Sequence, residues 1–223
     1  MSVSDALLKR RSVRGFLDRP VSAATIRRLV ALAARAPSGG NLQPWKIYVL
    51  SGSPLDALKT EMEKRIVELP RGETTEYDIY PPNLHSPYKE RRFEIGEALY
   101  RAIGIPREDK AARWQQFNKN FRFFDAPVGL FCFVDRLMGR PQWSDLGMYL
   151  QSLMLLAVEE GLATCPQECW SVYPQTIARF VSAPPELMLF CGMAIGYEDT
   201  EVKANQLRSV RAPAEEFATF IGL

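Results

Sequence analysis

The sequence predicts an α+β domain, and three patterns carry that prediction. After Ser22, the residues Ile26, Leu29, Val30 and Ala33 recur at i, i+3, i+4 and i+7, the apolar stripe of an amphipathic helix. "WKIYVL" (Trp45–Leu50) alternates as a strand with one buried face does. "PVGLFCFV" (Pro127–Val134) and "LMLFCGMAIG" (Leu187–Gly196) are continuous apolar runs, expected as central strands covered on both faces.

Each element has local signals. Ser22 is a good N-cap for the first long helix, and Pro37 disfavours helical geometry at the residue before it, so the helix should stop by then. Between the apolar strands lies "SDLGMYLQSLMLLAVEEG" (Ser144–Gly161), with Leu146, Leu150, Leu153 and Ala157 on one stripe and Met148, Leu155 and Leu156 elsewhere. A helix apolar nearly all round is buried or shared with a partner. Ser144 or Asp145 is expected to cap it, and Gly161 to end it. Residues 69–113 differ: "PRGETTEYDIYPPNLHSPYKERR" is rich in proline, tyrosine and charge and has little periodicity, so a long functional loop is expected. With no linker or repeat, residues 1–223 read as one domain carrying that excursion.

Bulk properties exclude several classes. The 223 residues carry 28 Lys+Arg against 26 Asp+Glu, a net charge of +2, too near neutral for a generic nucleic-acid binder. No apolar run approaches the roughly 18 residues of a membrane span, and "MSVSDALLKRRS" lacks a signal-peptide core. Cys132, Cys165, Cys169 and Cys191 form no CxxC pair and read as free thiols of a cytoplasmic protein. With a single histidine, His85, neither a metal site nor a Cys–His catalytic pair is expected. GxGxxG, Walker A, GxSxG and HExxH are all absent.

Four short signals stand out from this neutral background. "RRSVRGF" (Arg10–Phe16) puts three arginines and a serine in five positions. "APSGGNLQPW" (Ala36–Trp45) sets small residues and an amide between helix and strand, where exposed N–H groups can cradle a polar ligand. "GLATCPQECW" (Gly161–Trp170) follows the apolar helix, and "NQLRSVRAP" (Asn205–Pro213) adds Arg208 and Arg211. Taken singly, each is compatible with a solvated turn or a glycine-rich connection.

In combination, order and spacing, these signals resemble the FMN-dependent nitroreductase family: R-[RH]-S-x-[RK], P-S-x-x-N-x-Q-P-W, G-L-x-x-x-P-x-E and a late basic pair. The tract "NFRFFDAPVGLF" (Asn120–Phe131) and the Tyr/Pro-rich excursion look like a subgroup with an enlarged substrate-side segment. The resemblance implies a central, mostly antiparallel sheet flanked by helices in an intertwined homodimer, with FMN at the subunit interface. It implies that Arg10, Arg11 and Ser12, with Arg208 and Arg211, hold the phosphate, whose charge suits guanidinium forks. Arg14 would face the N1/O2 edge of the flavin, where a cation favours the reduced ring. Pro37, Ser38, Gly39 and Asn41 would come from the second subunit, Asp145 would bind ribityl hydroxyls, and Pro166, Gln167, Glu168 and Cys169 would run along the ring. Cys169 stands where glycine is frequent in the family and is expected to be a small packed residue.

The same resemblance implies NADPH or NADH as reductant and a small aromatic acceptor, a nitroarene or quinone, served in turn by a ping-pong route. No side chain need act as acid, base or nucleophile, because the chemistry belongs to the cofactor. Tyr77, Tyr80, Tyr88, Phe93 and Trp114 are expected either to form an aromatic lid or to pin the excursion to the domain. Other activities compatible with the resemblance are reductive dehalogenation, enoyl-type reduction and flavin binding without turnover in a sensor.

Overall fold

The computed structural model describes residues 1–222. Helices α1 (Val3–Lys9) and α2 (Ala23–Ala33) precede strand β1 (Lys46–Ser51) and helix α3 (Ser53–Glu68). Helices α4 (Tyr88–Ala102) and α5 (Lys110–Asn118) lead to β2 (Val128–Asp135) and the long α6 (Arg140–Glu159). β3 (Ala163–Gln167), α7 (Pro174–Phe180) and β4 (Leu187–Gly196) complete the regular elements. The four strands form one antiparallel sheet in the order β1-β2-β4-β3.

β2 and β4 occupy the centre, which explains their unbroken apolar runs. On one face Phe131, Phe133, Leu187 and Leu189 pack with Phe121, Trp170 and Tyr173. On the other, Leu130, Cys132, Met193 and Ile195 pack with Leu146, Tyr149, Leu150 and Leu153 of α6. The register pairs Cys132 with Cys191 but Phe133 with Leu189, so Phe190 is an extra bulged residue. That insertion keeps Leu187 and Leu189 on the same face as Ala194 and releases the Phe190 carbonyl, which accepts a hydrogen bond from the Tyr77 hydroxyl. β1 lies at the sheet edge, so neither of its faces is fully covered and Val49 remains 38% exposed.

Ser22 caps α2 as expected, its Oγ accepting from Thr25 N at 3.0 Å. Two expectations need correction. α6 starts at Arg140, its entry capped by Gln142, whose Oε1 accepts from Gly139 N at 3.1 Å. Asp145 is therefore not a cap: it lies in the second turn, 4% exposed, and accepts a hydrogen bond from Gly39 N at 3.2 Å. The excursion is not a continuous loop either, since most of residues 88–118 forms α4 and α5. Neither helix contains a buried residue, so neither needs the apolar stripe that makes a helix visible in sequence. Arg113 ties them together through a bidentate pair with Glu97, at 2.6 and 3.0 Å.

The start of the excursion is bolted down by Glu73. Its carboxylate accepts from Thr176 N at 3.1 Å, Gln175 N at 2.9 Å, Thr176 Oγ1 at 2.5 Å and Arg65 Nη2 at 3.2 Å. Burial alone would raise its pKa, but these four donors outweigh it and hold the carboxyl below its ordinary value near 4.5. A depressed folded pKa contributes stability above the unfolded value, lost as pH falls through the folded one. Glu73→Gln is accordingly expected to cost about 1–3 kcal/mol near neutral pH. Denaturant midpoints should converge with wild type on acidification below about pH 4; a constant gap from pH 7 to 3 would refute the charge-based account. Among the described residues, no helix is long and apolar enough to cross a membrane.

Candidate functional site

The two arginine-bearing segments, from opposite ends of the chain, meet in one cleft. The N-terminal segment lies beside β3 and the end of β4. Val13 N donates to Thr164 O at 3.0 Å and Leu17 N to Tyr197 O at 2.9 Å, while Val13 and Phe16 are buried in the core. Arg10, Arg11, Ser12 and Arg14 stay only partly buried. Together with Arg208 and Arg211 they line a cleft of about 350 Å³ whose apolar wall includes Leu7.

The electrostatics of this cleft are unbalanced. Among the described residues, no carboxylate lies within 4.0 Å of the guanidinium of Arg10, Arg14, Arg208 or Arg211. Partial burial, and then the nearby charge of Arg211, pull the pKa of Arg10 below its ordinary value. Like charges held together in a shielded cleft are a cost that a bound anion would relieve. Arg11 is the exception. Its guanidinium pairs with Glu198 while also lining the cleft.

Asn205, which opens the "NQLRSVRAP" motif, bridges the two arginine-bearing segments behind the cleft. It is 2% exposed, and its side-chain amide joins the two segments. Nothing in the sequence distinguishes it from a surface asparagine, because its partners are main-chain groups far away along the chain.

The other expected site residues fall into distinct places. Pro37, Ser38, Gly39 and Asn41 do not line the cleft. Ser38 Oγ accepts from Gln43 N at 3.0 Å, and Gly40, Asn41 and Gln43 all adopt positive φ, which gives the loop its sharp turn. A side chain added at Gly39 would meet nothing within 4 Å, so packing within the chain does not require glycine there. Gln167 points inward, its Nε2 donating to Asn120 O at 2.8 Å and its Oε1 accepting from Trp170 Nε1 at 3.2 Å. Its side chain supports the 3-10 turn Glu168–Val172 and leaves only its backbone for a ligand. Burial pushes the Cys169 thiol well up and the Cys165 thiol to about 11, so both stay protonated at neutral pH. Burial likewise raises the Glu168 carboxyl.

The five aromatics divide. Tyr77 is no part of an exposed lid: it is half-buried against Trp143 and Phe190, at centroid distances of 5.3 and 6.2 Å. It pins the excursion to the bulge of β4. Tyr80, Tyr88, Phe93 and Trp114 are all between 42% and 55% exposed. Arg92 stacks over Tyr80 at 3.9 Å, Arg107 over Phe93 at 5.3 Å, and Trp114 on Phe117 at 5.7 Å.

Comparison with known proteins agrees with this architecture. The chain is similar over its whole length to the FMN and NADPH-dependent nitroreductase NfnB from Sphigopyxis sp. strain HMH, with 48% identity, 100% of both chains covered and a TM-score of 0.97. It is also similar to the FMN-dependent nitroreductase NfnB from Mycobacterium smegmatis, solved in complex with NADPH, at 30% identity, 98% coverage of both chains and a TM-score of 0.93. A nitrobenzene nitroreductase of Ectopseudomonas oleovorans is 36% identical over 98% of this chain and 96% of its own length. Residues 7–197 match the profile described as "Nitroreductase family". With the paired arginine segments, the antiparallel sheet and these likenesses in agreement, the chain belongs to the nitroreductase family.

Proposed function

We propose that this chain is an FMN-dependent oxidoreductase that uses NADPH or NADH to reduce nitroaromatic or quinone-like acceptors by a ping-pong route. The carrying observation is the Arg10–Arg211 juxtaposition in a cleft where, among the described residues, four arginines have no carboxylate partner. That donor set fits a phosphate monoester, which brings close to two negative charges. Bound there, FMN supplies the two-electron transfer between nicotinamide and acceptor.

The chain's own part is binding and orientation. Arg10, Arg11, Ser12, Arg208 and Arg211 would hold the phosphate, and Arg14 would favour the reduced form of the ring electrostatically. The backbone of Pro166, Gln167, Glu168 and Cys169 would bind the ring, and an N–H near Glu168 would donate a hydrogen bond to it. Asp145 anchors Gly39 through Oδ2 and would accept from a ribityl hydroxyl through Oδ1. Exposed Tyr80, Tyr88, Phe93 and Trp114 favour flat, electron-poor acceptors by stacking.

The site is completed by a second copy of the chain in a homodimer, which brings Pro37, Ser38, Gly39 and Asn41 to the flavin. The open space beside Gly39 supports this assignment, as do the exposed apolar tail residues Val210, at 91%, and Ile221, at 90%. Residues 1–223 act as one domain in each copy. Cytoplasmic residence is proposed from the free cysteines.

The test is spectroscopic and then kinetic. Purified protein should show flavin absorption that bleaches on anaerobic addition of NADPH or NADH and returns on addition of nitrobenzene, with steady turnover under excess reductant. Flavin bands that never bleach would favour a binding protein without turnover, and a colourless protein that FMN cannot reconstitute would refute the proposal.

A further inference from the structure

A charge-repelling cluster needs something to hold its members at the spacing a ligand requires. Other contacts tie the N-terminal segment to β3 and to residues 197–199. Residues 203–211, which carry Arg208 and Arg211, are held differently. Among the described residues, every hydrogen bond from 203–211 to anything before Val202 uses the side chain of Asn205.

That amide is fully used. Oδ1 accepts from Arg14 N at 2.6 Å, and Nδ2 donates to Gly15 O at 2.9 Å and Asp199 O at 2.8 Å. The main-chain carbonyl of Asn205 accepts from Arg208 Nη1 at 2.8 Å, and its N–H donates to Val202 O at 2.9 Å. One buried residue thus fixes the backbone of Arg14, the turn after β4 and the guanidinium of Arg208. No other residue type of this size presents an acceptor and two donors in one rigid plane.

We infer that Asn205 is a positioning residue for the cofactor phosphate, setting the spacing between the arginines of the two chain ends. It does so without touching the ligand. The inference rests on the reading of the cleft as an FMN site and adds the element that builds its phosphate end. Asn205 therefore governs discrimination between FMN and riboflavin, which share a ring and ribityl chain and differ only in the phosphate.

The test is a titration of full-length, flavin-stripped protein with FMN and with riboflavin, followed by flavin fluorescence. Wild type is expected to prefer FMN by at least about 100-fold, the worth of two charge-assisted hydrogen bonds. Asn205→Ala is expected to reduce that preference roughly 10- to 100-fold, through the FMN Kd alone, with riboflavin within about threefold of wild type. Asn205→Ser, which keeps an uncharged polar group in the pocket, should shift the ratio the same way by less, and it decides the matter if the alanine variant does not fold. Equal weakening of both flavins, or an unchanged ratio with a lowered Tm, would make Asn205 purely structural and overturn the inference. A wild-type protein without preference for FMN would overturn the phosphate reading of the cleft itself.

Discussion

Arg10→Ala is expected to weaken FMN binding by about 100-fold while leaving the flavin-free protein at least as stable as wild type. The affinity loss follows from removing a guanidinium fork from a phosphate, one or two charge-assisted hydrogen bonds of about 1.5–3 kcal/mol each. The stability half follows from the sign of its pKa shift. Burial and Arg211 depress the folded-state pKa of Arg10, so at neutral pH its charge is less favourable in the folded chain than in the unfolded one. Replacing it removes that cost. Thermal melts with and without FMN would therefore cross: higher or equal Tm than wild type when stripped, lower when loaded with the same FMN concentration. A flavin-free Arg10→Ala protein that melts clearly below wild type would show that Arg10 is a structural residue. Arg11→Ala should instead lower the Tm of the flavin-free protein, because it strands Glu198, which is only 17% exposed.

Trp170→Ala is expected to have the largest effect on stability. The indole is fully buried and packs on Phe123, Phe131 and Phe121 at centroid distances of 4.6, 5.0 and 5.4 Å. Truncation leaves a cavity and strands the Gln167 carbonyl, for a cost of about 3–5 kcal/mol and a Tm drop of about 10 °C. The indole rests on β4 where Gly192 gives it room: a Cβ there would lie 2.3 Å from Trp170 Cδ1. Gly192→Ala should therefore destabilise wild type strongly and the Trp170→Ala background much less, since the clash has gone. Additive effects in that double-mutant cycle would contradict the packing described here. Trp170 lies within the Glu168–Val172 turn, so its loss should also loosen flavin retention.

Much of this molecule was legible from local patterns. Ser22, the i, i+3, i+4 stripe after it and Pro37 located α2, because capping and apolar periodicity act within a few residues. The unbroken runs identified β2 and β4 as central strands, since burial on both faces removes the polar alternation. Clustered arginines in a neutral chain pointed to an anion, and their motif spacing to the family. α4 and α5 were hidden for the converse reason: with no buried residue, they carry no stripe to read.

What the sequence determined by itself was part of the inventory: helices α2 and α6, strands β1, β2 and β4, which segments carry charge, and which family those segments match. These depend on interactions between near neighbours or on motif order. Which arginine meets a carboxylate was decided only by tertiary structure: Arg10 and Arg11 are adjacent in sequence, yet Glu198, 187 positions from Arg11, pairs with Arg11 and not with Arg10. The same holds for Asp145, drawn from a helix cap to an anchor for Gly39, and for Asn205, whose role exists only where Arg14, Gly15 and Asp199 converge on it. Long-range pairing depends on how the strands register and where the chain returns, and no local pattern encodes which distant group will stand opposite a given side chain.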